Sequence, residues 1–173
     1  MKDQIKYKPN ILDYVTTLLM IICFPLNPFV LLKIIEPKGN DILTIFGIIF
    51  WTLGMVFVIY PFIYFKSKGG VAKGKSYVHT NKIVTTGLYS ILRHVQYTGG
   101  ILSIFIATPL LYPHWTLIVL GIAGIVFMYI SIKKEDKLLI EKFGDEYKEY
   151  IAKVPAVNFI AGIYRKIKGQ KTK

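Results

Sequence analysis

The sequence predicts an all-α integral membrane fold, with four transmembrane helices, the last two paired as a hairpin, and a cytoplasmic helical extension. Three observations predict it. The chain of 173 residues is 53% hydrophobic and only 18% charged, against roughly 45–50% and about 25% in ordinary soluble domains. Its apolar residues gather into runs near the ~20 residues a bilayer-spanning helix needs. Its cations, which dominate a formal net charge of +12, lie between those runs rather than in them. A soluble nucleic-acid binder would account for the charge but not for the runs. A disordered basic tail does not carry 14% aromatic residues. A disulfide scaffold is excluded by the single cysteine, Cys23.

The elements follow in order within one membrane domain covering 1–173. The first predicted span, 11–32, carries Asp13 near one end and Pro25, Asn27 and Pro28 near the other, so it is expected to bend where proline removes a backbone donor. It is too long for a signal-peptide core and lacks a cleavage pattern, so it reads as retained. Cys23 within it reads as a packed thiol. The second span, 42–65, contains no charged side chain. A loop over 66–96 leads to two shorter spans, 97–112 and 114–132, joined at Tyr112-Pro113-His114. The first of these two is short enough to call for tilt or local thinning. The tail, 133–173, is predicted as a cytoplasmic helical extension. Its end, with Phe159, Ile160, Ile163 and Tyr164 before Arg165, Lys166 and Lys168, suits an interfacial helix with a basic anchor.

Charge sets the expected topology. With four spans, 20 of the 22 Lys and Arg residues share one side and 2 the other. Both termini and the 66–96 loop are therefore expected in the cytoplasm.

Two polar clusters are candidates for chemistry. The first runs Thr86-Gly87-Leu88-Tyr89 to Arg93-His94-Val95-Gln96-Tyr97-Thr98-Gly99-Gly100. A helix from Tyr89 onward would align Tyr89, Arg93 and Tyr97 on one face. Gly87 is a place for close backbone approach, and Gly99 and Gly100 suit helix packing. Arg93 is one of only two arginines against 20 lysines, and its planar fork suits a carboxylate or phosphate. The second cluster begins at Glu135-Asp136. Beyond it Leu139, Phe143, Tyr147, Tyr150 and Val154 recur at helical spacing. Gly144-Asp145 reads as a stop and a new N-cap, and Pro155 as the next stop. Glu141, Glu146 and Glu149 read as a solvated face paired with lysines. A hairpin between the clusters returns the chain to the face it left. Arg93-His94 and Glu135-Asp136 are then expected at one mouth of the helix pair, as a plausible site. His79, His94 and His114 lack metal-ligand spacing, and no phosphate loop or dinucleotide fingerprint occurs.

The order and spacing of these residues resemble the integral-membrane methyltransferases that include isoprenylcysteine carboxyl methyltransferases and phospholipid N-methyltransferases. Their pattern, G-x-Y-x-x-x-R-H-P-x-Y-x-G, two apolar passes, then E-E-x-x-L-x-x-x-F-G-x-x-Y, is matched over about residues 82–155. The resemblance implies S-adenosylmethionine as cofactor and a lipid or prenylated small molecule as substrate, met at the cytosolic membrane face. Carried over by position, Ile83, Val84, Gly87 and Tyr89 would border the cofactor. His94, Tyr97 and Glu135 would hold it, with Asp136 as the second carboxylate. Arg93 would face the reacting site, and with Glu135 it forms the implied catalytic pair. No metal is implied. Two departures stand out: Val95 replaces the family's proline, and Asp136 its second glutamate. A sterol-type membrane reductase using NADPH shares Arg-His-x-x-Tyr and an acidic C-terminal helix, and a non-enzymatic four-span accessory protein is the third reading. Acceptor and oligomeric state do not follow from the sequence.

Overall fold

A computed structural model of the chain describes residues 40–70 and 82–171, with Ile11, Tyr14, Val15 and Leu18 from the first predicted span. The bend expected near Pro25 and the setting of Cys23 therefore lie outside the described residues. Most of those that are described are helical, with no strand among them.

Helix α1 spans Asp41–Lys68. Asn40 caps it, its side-chain oxygen accepting from Leu43 N at 2.9 Å. Lys66 and Lys68 stand in its last turn, where cations oppose the helix dipole. Helix α2 spans Val95–Leu111 and widens into a π turn over Ile101–Ile106. Pro109 lies just beyond, and a proline gives no N–H to the carbonyl four residues back, that of Phe105. Helix α3 runs without interruption over Trp115–Phe143, so the last predicted span and the start of the tail are one helix. His114 caps it, its ring nitrogen accepting from Thr116 N at 3.4 Å. Gly144 then reverses the chain with φ +67°, a conformation glycine adopts freely. Helix α4, Asp145–Lys153, follows. Gly144 itself occupies the cap position, and Asp145 is the first helical residue, bound by Lys148 at 2.8 Å. Val154 is extended, as a residue before proline tends to be. Helix α5 covers Phe159–Lys171.

Helices α1 and α3 are each long and apolar enough to cross a bilayer. Their outward side chains, among them Ile42, Ile45, Val56 and Ile63 on α1 and Ile118, Ile122 and Val126 on α3, are large, apolar and exposed. In lipid such a face has no reason to be polar. Helix α2, at about 25 Å by its residue count, falls short of the ~30 Å hydrocarbon layer. It is the helix against which both others pack.

The packing uses small residues. A Cβ on Gly54 would stand 2.6 Å from Ser103 N and 2.7 Å from Gly99 O, and one on Gly99 would stand 2.7 Å from Gly54 O and Val58 N. On the other side of α2, a Cβ on Gly121 would stand 2.7 Å from Phe105 O, and one on Gly124 would collide with the Phe105 ring. Close backbone approach of this kind drives helix association where the solvent is itself apolar. Gly99 thus packs helices, as its place just inside the span suggested.

Candidate functional site

The Tyr112–His114 turn folds α3 back along α2, and the polar ends of the two helices meet. The segment before α2 is not helical from Tyr89, contrary to the sequence expectation. Gly87–Ser90 forms a single 3₁₀ turn. The next residues are drawn out because the backbone N–H groups of Arg93 and His94 donate to Pro155 O at 3.0 Å and Ala156 O at 3.1 Å. These bonds to the chain after α4 replace the intrahelical ones, so Tyr89, Arg93 and Tyr97 do not share a helix face. Helix α2 starts at Val95, its first helical position. An N–H there has no intrahelical partner in any case, which is why proline and valine are both tolerated at such a place.

Asp136 lies at the centre. Its carboxylate accepts from Arg93 Nη2 at 2.9 Å, from Tyr147 OH at 2.8 Å and from His94 Nε2 at 2.8 Å. Burial alone would raise its pKa, but the bonds to His94, Arg93 and Tyr147 outweigh it and hold the carboxyl well below its usual range. An ionised carboxylate only accepts, so His94 carries its proton on Nε2 and turns Nδ1 toward Glu135. Arg93 Nη1 also donates to the carbonyls of Val154 and Ile151. Its Nε is buried without a partner. The shorter Asp136 therefore binds protein groups and anchors α4 to the mouth of the hairpin. Burial pushes the hydroxyls of Tyr147 and Tyr150 far above their normal pKa. Tyr150 OH donates to Tyr89 O at 2.6 Å, closing the same wall.

Glu135 is one residue away and differently placed. Its side chain is 40% exposed, with Oε2 3.8 Å from His94 Nδ1. It opens on a cavity of about 310 Å³. Ile83, Val84, Tyr89, Arg93, His94, Tyr97 and Glu135 line this cavity, as do Phe65, Leu139, Lys142, Tyr147 and Tyr150. Of the residues singled out from the sequence, Asp136 and Gly87 are not in its lining. Asp136 lies behind the wall. Gly87, at φ +62°, is pressed against the Tyr60 hydroxyl, so that any side chain would collide. Its close approach is to the protein. Glu141 and Glu146 are exposed, and Glu149 pairs with Lys153 at 3.3 Å.

The sequence reading missed Tyr147 and Tyr150 as site residues, having counted them in an apolar stripe. The available signal was chemical: two of the stripe's large residues are tyrosines, and a buried tyrosine hydroxyl needs a partner.

The fold and the site together define a small helical transmembrane protein whose cavity, lined by aromatic, aliphatic and charged side chains, opens where two hydrophobic helices end. A family model described as phospholipid methyltransferase matches residues 42–146. That is more than half of the chain, and the protein belongs to this family of membrane methyltransferases acting on lipid-type substrates. Comparison with curated proteins and with solved structures finds no match.

Proposed function

We propose that the chain transfers a methyl group from S-adenosylmethionine to a lipid-like or small apolar acceptor at the cytosolic membrane face. The observation that carries the proposal is the cavity beside Glu135, His94 and Tyr97, inside the family-matched segment and at the end of two hydrophobic helices. The distribution of cations supports assigning this face to the cytosol, with both termini there.

The residues suit the cofactor. Glu135 is an acceptor for an amine or for ribose hydroxyls. His94 Nδ1, turned to the same side, adds a second polar contact. Tyr89, Tyr150 and Phe65 supply aromatic walls that suit an adenine ring, and tyrosine faces attract a cationic sulfur. When bound, S-adenosylmethionine supplies an electrophilic methyl carbon on a positively charged sulfur. The chain's part is alignment and exclusion of water, which supply much of the rate in an in-line displacement. Glu135 binds and orients. Arg93 and Asp136 hold His94 and the α4 wall in register, and Arg93 lines the cavity where an acceptor's carboxylate or phosphate would sit. Prenylcysteine carboxylates, phospholipid amines and thiols all fit this description. The family match favours methyl transfer over NADPH-dependent reduction.

Titration calorimetry with S-adenosylhomocysteine in detergent tests the proposal. Wild-type protein is expected to bind, and Glu135→Ala to bind about tenfold or more weakly, the usual loss for a hydrogen bond to a charged group. A folded wild-type sample that binds nothing overturns it.

A further inference from the structure

Helix α5 has three faces with three different environments. One packs on the protein. Phe159 meets the Phe57 ring with centroids 6.0 Å apart. A Cβ on Gly162 would collide with Ile91 O, and Lys166 Nζ donates to Ser90 Oγ at 2.8 Å. A second face, Ile160, Tyr164 and Ile167, is apolar and exposed, Ile160 to 80%. A third presents Arg165 and Lys168 toward Lys153, bordering a groove with Ser90 and Val154. No acidic residue follows Glu149, whereas six Lys and Arg residues do.

The depth of α5 decides what meets these faces. Phe57 stands eight residues before the end of the charge-free run at Phe65, about 12 Å along a helix axis. The start of α5 is therefore held alongside the apolar part of α1. An exposed apolar face at that level meets acyl chains, and the neighbouring cations lie where lipid phosphates are.

From this we infer that α5 is a tilted interfacial helix, deeper at Phe159 than at Arg165 and Lys166, and that the groove between it and the end of α4 binds the phosphate of an anionic phospholipid. Arg165 and Lys166 are its principal donors. The groove lies across Val154 and Arg93 from the methyl-transfer cavity, so this second lipid site does not depend on the reaction proposed above.

Native mass spectrometry of the full chain in mild detergent tests the inference. The protein is offered phosphatidylglycerol, phosphatidylcholine with the same acyl chains, or inorganic phosphate as competitor. Phosphatidylglycerol is expected to be retained selectively and to resist displacement by phosphate. Arg165→Gln/Lys166→Gln should lower its occupancy about thirtyfold, as the loss of two interfacial cations implies. The charge-matched Lys66→Gln/Lys68→Gln protein should retain it. Equal loss in that control, equal retention of phosphatidylcholine, or displacement by free phosphate overturns the inference. Should the double variant fail to fold, Arg165→Gln alone, at an exposed position, is expected to lose about fivefold, and unchanged retention overturns the inference equally.

Discussion

Two regions of this molecule are held together in opposite ways. Where α1 and α2 cross, Gly54 and Gly99 bring backbone against backbone, with side chains absent rather than paired. Where α2 and α3 end, Asp136 draws an arginine, a histidine and a tyrosine onto one carboxylate. The difference follows from the surroundings. Inside the hydrocarbon, association comes from close packing, because lipid tails compete equally for apolar groups. At the boundary, a few charge-assisted bonds fix geometry, and each unpaired partner would be costly. The proposed methyl-transfer site adjoins the second region, because chemistry needs fixed polar groups. The first region only has to hold α2 in place.

The largest test breaks the polar clasp. Asp136→Ala leaves Arg93 buried without its counter-ion, and thermal or denaturant unfolding in detergent should show a loss of about 3–5 kcal/mol. The same clasp predicts acid sensitivity. Its folded-state pKa lies below the unfolded value of 3.8, so the stabilisation is complete above that value and fades as pH falls below it. Tyr147 and Tyr150 act at the opposite end. Their folded values lie above the normal 10.0, so their contribution is intact below pH 10.0 and is lost as pH rises beyond it. Unfolding midpoints against pH should therefore fall at both extremes, and Asp136→Asn should flatten the acid limb.

The glycine seam should respond less steeply. Gly99→Ala sets a methyl against the α1 backbone, with an expected cost of about 1–3 kcal/mol from overpacking. Its signature is loss of stability with the calorimetric affinity of the remaining folded protein intact. Val95→Pro falls between Gly99→Ala and Glu135→Gln. At the first position of α2 it should alter the unfolding midpoint by no more than about 1 kcal/mol. A larger loss would show that the Val95 N–H is needed where proline has none. Smaller still in stability is Glu135→Gln, expected to stay within about 0.5 kcal/mol of wild type. It weakens S-adenosylhomocysteine binding while Asp136→Ala unfolds the site, and that contrast separates the two neighbouring carboxylates.

Much of this was legible beforehand. The uninterrupted apolar run of 42–65 predicts α1. Gly144 and Pro155 mark the stops on either side of α4. Return of Glu135-Asp136 to Arg93-His94 follows from counting two passes. The conformation at Arg93 was not legible. Two backbone bonds to Pro155 and Ala156 decide it, and these partners lie some sixty residues away in the chain.

By itself the sequence determined an all-helical chain, the apolar runs of its long helices and the meeting of two polar clusters, because hydrophobic periodicity, helix stops and charge placement act locally. Only the tertiary structure decided which of two adjacent carboxylates is buried in protein and which opens on the cavity. Successive helical residues point about 100° apart. Whether a given direction meets Arg93 or open space depends on where α4 docks, and no local pattern carries that information.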